Sequence, residues 1–143
     1  MAKESLIIPD HFLFRVFIPV RITDLNYGNH LGNDSMAALL HEARVQWLQS
    51  MGYTELSVEG VSLIMAALQI YFKKEAFYGD VLCISLFWGE HSAAGFSLYY
   101  VVETIRNEET SLIAKAKTDM VFFRYDQRKV SAMPTIFLNK IVR

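Results

Sequence analysis

The segment Asp24-Leu25-Asn26-Tyr27-Gly28-Asn29-His30-Leu31-Gly32-Asn33 runs straight into the eighteen residues Asp34 to Met51, and the second stretch reads as a helix. Asn33 is a good N-cap, Asp34 suits a first turn, and Gly52 suits the position just past a helix C-terminus. At about 100° per residue, Met36, Leu40, Ala43, Trp47 and Met51 form one apolar stripe, widened by Leu39 and Leu48. Ser35, Ala38, Glu42, Gln46 and Gln49 share a flank, so Glu42 borders the apolar face. The preceding loop gathers a carboxylate, side-chain amides, an imidazole and two glycines just before a helix N-terminus. Free backbone N–H groups and the helix dipole favour developing negative charge there, which points to anionic intermediates.

Working outward, His11 to Val20 alternates Phe12, Phe14, Val16 and Ile18, the period of a strand. Pro19 is tolerable only on an edge or near the strand's end. From Gly60 onward long β-rich segments follow: Val61 to Ala76, Val81 to Gly89, Gly95 to Arg106 and Ser111 to Tyr125. The turns between them, Tyr78-Gly79-Asp80, His91 to Ala94 and Asn107 to Thr110, are short and imply antiparallel neighbours. At ~3.3 Å per residue the last strand would run about 50 Å, so it should curve or carry bulges. A strongly bent antiparallel sheet around the single long helix is an α+β solution.

The chain's 143 residues fit one domain over 1–143. Apolar residues make up 52% and mean hydropathy is +0.21, above the usual ~45–50% for a soluble domain. No run approaches the ~18 apolar residues of a membrane span, and the N-terminus lacks the pattern of a secretory signal. The apolar surplus, notably in Val81 to Trp88 and Met120 to Phe123, therefore points to subunit contacts. With a net charge of −1, and basic residues scattered except at Lys73-Lys74 and Arg124 to Lys129, there is no footprint for nucleic acid. The one cysteine, Cys83, reads as buried filler and fits a reducing cytoplasm. Histidines 11, 30, 41 and 91 are too dispersed for metal-ligand spacing, so no metal is expected.

The order strand, loop, central helix, four long strands is that of the hotdog fold. The chain resembles the 4-hydroxybenzoyl-CoA thioesterase-like branch of acyl-CoA thioesterases. Members commonly show a strand running into Asp-x-Asp-x-x-Gly-(His)-x-x-Asn, a Glu-Ala-Arg on the helix, and a later Gly-Asp turn. Here these correspond to Asp24 to Asn33, Glu42-Ala43-Arg44 and Gly79-Asp80. The resemblance covers about Phe12 to Pro134 and implies a long central helix wrapped by a five-stranded curved antiparallel sheet. It also implies hydrolysis of an acyl-CoA or acyl-carrier thioester without a cofactor, in a homodimer or a dimer of dimers.

One departure matters: the motif's second Asp, the catalytic carboxylate of well-known members, falls on Asn26. An amide is no general base near neutral pH. The resemblance makes the Asn33 backbone N–H the oxyanion donor. The base is left open among Glu42, His30 and Asp24, with Asn26 orienting water or substrate. Tyr27, Gly28 and Gly32 would line the substrate site, and Arg124 and Arg128 would hold CoA phosphates. Two other functions compete. A binding module for acyl thioesters would explain the loss of the base. A hotdog hydratase or dehydratase is disfavoured by the Glu42-Ala43-Arg44 sequence.

Overall fold

The computed structural model describes residues 6–142. Its elements are β1 (His11–Pro19), a single 3-10 turn (Ile22–Asp24), α1 (Asn33–Ser50), β2 (Ser62–Phe72), β3 (Val81–His91), β4 (Gly95–Arg106), β5 (Glu109–Arg124), β6 (Lys129–Val130) and α2 (Thr135–Ile141). The sheet is antiparallel in the order β1-β3-β4-β5-β2, with β6 paired to β5. The expected five strands are thus present, and a two-residue sixth extends them; the turns after β3 and β4 join antiparallel neighbours as expected, but Tyr78-Gly79-Asp80 does not, since β2 crosses over to pair with β5 while β3 pairs with β1.

The apolar stripe of α1 lies on the inner face of the sheet, where Met36, Leu39, Leu40, Ala43, Trp47 and Leu48 are buried. Full burial of each larger apolar side chain contributes roughly 1.5–3 kcal/mol, enough for packing rather than intrinsic propensity to hold the helix in place. Each of the four long ladders carries one register shift, at Phe12/Phe14, Met65/Ala67, Trp88/His91 and Val102/Glu103. Bulges increase local twist, which lets the sixteen-residue β5 curve around the helix.

The details depart from local reading in several places. The N-cap of α1 is Gly32, and Asn33 is the first helical residue. A Cβ on Gly32 would sit 2.7 Å from Asp34 Oδ1, the tip of an exposed side chain that can turn aside. The C-terminal end follows expectation: Gly52 takes φ +82° and Tyr53 N–H donates to Leu48 O at 2.9 Å. β2 stops at Phe72 rather than running to Ala76, because Lys73 N–H and Lys74 N–H both donate to Ile113 O and turn the chain. The short helix α2 had no sequence signal; its buried Phe137 packs against Trp47, Trp88, Phe96 and Phe122 and closes the core. Cys83 is half-buried rather than sealed, opposite Phe17 on the outer face of the sheet.

The two sheet edges differ. β1 carries Arg15 and Pro19, both of which discourage edge pairing, whereas β2 has no charged residue from Ser62 to Phe72 and exposes Met65 and Phe72.

Candidate active site

The loop between β1 and α1 is fixed by its own polar groups. The Asp24 carboxylate is buried and accepts three hydrogen bonds from Arg21: backbone N–H at 2.8 Å, Nε at 3.1 Å and Nη2 at 3.0 Å. Those hydrogen bonds outweigh the effect of burial and hold its pKa below the ordinary carboxylate range. Asp24 O in turn accepts Gly32 N–H at 3.0 Å, tying the loop's two ends together. Between them Asn26 to His30 forms a tight turn: Asn26 N–H donates to His30 O at 2.9 Å, and Asn26 Oδ1 accepts Gly28 N–H at 2.8 Å. A Cβ at Gly28 would stand 3.3 Å from both Asn26 Oδ1 and His30 Nε2. The missing side chain keeps the space between amide and imidazole open.

His30 is half-buried, with Nδ1 3.3 Å from Leu31 O and Nε2 3.3 Å from Glu75 Oε2. Leu31 N–H donates to Ala76 O at 2.8 Å, which docks the loop against the segment carrying Glu75. His30, Glu75, Asn33, Phe72 and Ile113 line one cavity of about 200 Å3. Asn33 N–H makes no hydrogen bond among the described residues and no side chain caps this helix, so its dipole end is open to an acceptor. An imidazole backed by a carboxylate beside a free helix N-terminus is equipped to move a proton and stabilise an oxyanion.

Further along α1, Arg44 is buried and donates from Nε to Glu55 Oε2 at 2.7 Å and from Nη1 to Tyr100 Oη at 3.2 Å. Tyr100 Oη is 2.8 Å from Thr118 Oγ1, and His41 Nε2 is 2.7 Å from Glu55 Oε1. Burial works to raise the Glu55 pKa, but the hydrogen bonds from Arg44 and His41 outweigh it and hold it low.

The sequence profile of the Thioesterase-like superfamily matches residues 20–141, nearly the whole chain. The chain belongs to the Thioesterase-like superfamily. Solved structures share its fold. A putative thioesterase from Pseudomonas aeruginosa is 18% identical, with TM-score 0.83 and coverage of 92% of this chain and 100% of that one. A 1,4-dihydroxy-2-naphthoyl-CoA thioesterase from Synechocystis is 24% identical, with TM-score 0.75 over 90% and 94% of the two chains. An aspartate-to-asparagine mutant of 4-hydroxybenzoyl CoA thioesterase, complexed with 4-hydroxybenzoyl CoA, is 17% identical, with TM-score 0.79 over 90% and 97%. No curated protein matches the chain.

In this superfamily member the loop residues Asn26, Gly28, His30, Gly32 and Asn33 meet in one place, but other candidate residues lie apart from them. Glu42 is exposed, accepts Gln46 Nε2 at 2.7 Å, and faces a separate cavity with Phe17, Pro19 and Arg21 on the β1 side. It is nine residues beyond Asn33, about 13 Å along the helix. Asp24 is close in sequence, but its carboxylate is committed to Arg21. Tyr27 projects fully into solvent, at 104% relative exposure, rather than lining a cavity of its own subunit. Arg124 ends β5, eleven residues from Ile113, and Arg128 is an exposed turn residue at φ +54°; neither reaches the loop within one subunit. The Gly79-Asp80 turn is structural: Asp80 Oδ2 accepts Phe77 N–H at 2.8 Å and pairs with Arg106 at 2.7 Å. Glu75 was missed by sequence reasoning, since nothing in Lys73-Lys74-Glu75 distinguishes it from a solvated turn. The wider network of Glu55 and Tyr100 around Arg44 had no sequence signal either.

No helix is long and apolar enough to cross a membrane, and no cluster of metal-ligating side chains occurs among the described residues.

Proposed function

We propose that the protein hydrolyses an acyl thioester, of coenzyme A or of a carrier protein, with His30 as general base and the Asn33 backbone N–H as oxyanion donor. The observation that carries this reading is the cavity holding His30, its partner Glu75 and the open helix N-terminus together. With Nδ1–H donated to Leu31 O, Nε2 is the nitrogen that takes a proton, and the imidazolium so formed donates from Nε2 to Glu75 Oε2. Water attacks the thioester carbon, Nε2 takes its proton, and the carbonyl oxygen becomes an oxyanion held at Asn33. Collapse breaks the carbon–sulfur bond, and the proton returns from His30 to the departing thiolate. Glu75 steadies the imidazolium, Asn26 orients the water, and Gly28 leaves the room for it. A removed general base costs about 10²–10⁴-fold in rate. His30→Gln should therefore lower kcat by that amount on a panel of acyl-CoAs, and Glu42→Gln should change it less than threefold. Loss of activity in Glu42→Gln with His30→Gln unaffected would refute the assignment.

The subunit is read as half of a homodimer. Supporting this are the uncharged, unpaired β2 edge and the exposure of Met65 and Phe72 along it. Exposed Phe17, Val81 and Ile105 on the outer face support a second contact, making a dimer of dimers. Asn26 favours one alternative, a module that binds acyl thioesters without cleaving them. Acyl-CoA binding with no turnover would establish it.

A further inference from the structure

In the sheet order β1-β3-β4-β5-β2, α1 packs most closely on β1 and β3, at the side away from β2. This placement leaves space between the helix and the β5/β2 pair. The cavity holding His30 occupies one end of that space, against Phe72 and Ile113. A second cavity of about 480 Å3, lined by Leu68, Thr118 and Arg44, lies on the same pair of strands and shares no lining residue with the first. On β2 and β5 the register pairs Leu68 with Thr118 and Phe72 with Ala114, and Ile70, packed against the core, stands between the two cavities. The helix runs alongside with Asn33 at one end and Arg44 toward the other.

The walls of the second cavity are mostly apolar, with Ala37, Leu40, Met65 and Leu68 among them. A buried guanidinium at its end is therefore unusual. Arg44 uses Nε on Glu55 and Nη1 on Tyr100, while Nη2 makes no hydrogen bond among the described residues. Nor is Nη2 among the sealed, unpartnered polar atoms, of which Trp88 Nε1 is the one identified. It is open to the cavity that Arg44 lines. An incoming acceptor exchanges a hydrogen bond to water for one from a charged donor.

We infer that the acyl chain of the substrate lies in this trough between α1 and β2 and ends on Arg44, which selects a medium-length chain carrying a neutral oxygen near its far end. The inference rests on the thioesterase reading above and deepens it. Chain length follows from the helix. Arg44 lies eleven residues past Asn33, about 16 Å at 1.5 Å per residue, and its side chain leans back roughly 4 Å toward the N-terminus. About 12 Å remain, which an extended chain covers in about ten bonds at ~1.2 Å each. The oxygen is neutral because Glu55 already balances the Arg44 charge, so a carboxylate would face a second carboxylate. A hydroxyl or keto oxygen only accepts the spare N–H.

The test compares kcat/KM for decanoyl-CoA and 10-hydroxydecanoyl-CoA. Wild type should favour the hydroxylated chain about tenfold, the discrimination of one hydrogen bond in a partly open site. Arg44→Met combined with Glu55→Gln removes donor and counter-ion together and should reduce the ratio below twofold. Leu68→Trp, which fills the trough ahead of Arg44 and leaves the ion pair intact, should invert a preference for decanoyl-CoA over hexanoyl-CoA. It keeps the test open should the double variant not fold. Hydrolysis by wild type with no hydroxyl preference, or a preference retained without Arg44, overturns the inference and leaves the thioesterase reading standing. If no thioester is hydrolysed, calorimetry with the thioethers S-decyl-CoA and S-(10-hydroxydecyl)-CoA decides. A tenfold difference in Kd supports the trough; equal or absent binding overturns it.

Discussion

Replacing Arg44 by Met keeps most of the buried stem and removes the charge, so it isolates the ion pair with Glu55. The Arg44 side chain is 6% exposed and that of Glu55 23%, with Nε to Oε2 at 2.7 Å. Breaking a fully buried pair costs about 3–5 kcal/mol, chiefly because one charge is left uncompensated. Glu55 retains some water and its contact with His41 at 2.7 Å, which brings the expected loss to about 2–3 kcal/mol. For a domain of this size that corresponds to a fall in Tm of roughly 5–10 °C. Glu55→Gln strands the more buried partner and should cost about 3 kcal/mol or more. The double variant removes both charges at similar volume and should return to within about 1 kcal/mol of wild type, since desolvation of the pair no longer has to be offset. Urea denaturation of the four proteins gives the coupling energy directly. Single losses that simply add, leaving a coupling below about 0.5 kcal/mol, would refute the view that Arg44 and Glu55 act as one buried unit.

Two further outcomes follow from the same structure. Asp24 is held below its usual pKa by hydrogen bonds from Arg21, and Glu55 and Asp80 are held low by Arg44 and Arg106 against the opposing effect of burial. Their folded values lie under the ordinary 3.8 and 4.5, so the stability they contribute is complete above about pH 5 and lost as pH falls through the carboxylate range. Urea midpoints measured from pH 7 to pH 3 should fall only below about pH 5; a midpoint that rose on acidification would contradict this. Met65→Lys places a charge on the uncovered β2 edge and should convert the sedimenting species from dimer to monomer. A lysine variant still dimeric at micromolar concentration would move the interface elsewhere.

How much of this was legible beforehand depends on the distance over which each feature is decided. The α1 stripe and the Gly52 cap follow from periodicity and from a positive φ that local sequence encodes. The β3-β4-β5 hairpins followed from short turns and the curvature from a β5 too long to lie flat, but the short turn at Tyr78 to Asp80 does not join neighbours, because β2 crosses over to pair with β5 and β1 takes the place beside β3. The loop was recognised as the site because an imidazole and glycines precede a helix start, a pattern contained within ten residues. The functional ranking inside it was not recoverable in the same way. Asp24 and Glu42 are both carboxylates near the loop or the helix, and sequence alone cannot show that one is held by Arg21 while the other faces a different cavity. Glu75 becomes His30's partner only because Leu31 hydrogen-bonds to Ala76, forty-five residues on. Arg44 entered the sequence reading only as part of Glu42-Ala43-Arg44, and three-dimensional closure places Glu55, Tyr100 and Thr118 around it and makes burial tolerable. The sequence by itself determined the elements and the loop that carries the chemistry, since backbone periodicity and capping act between near neighbours. Tertiary structure alone decided which side chains face one another, because packing and charge compensation depend on residues that only the closed sheet brings together.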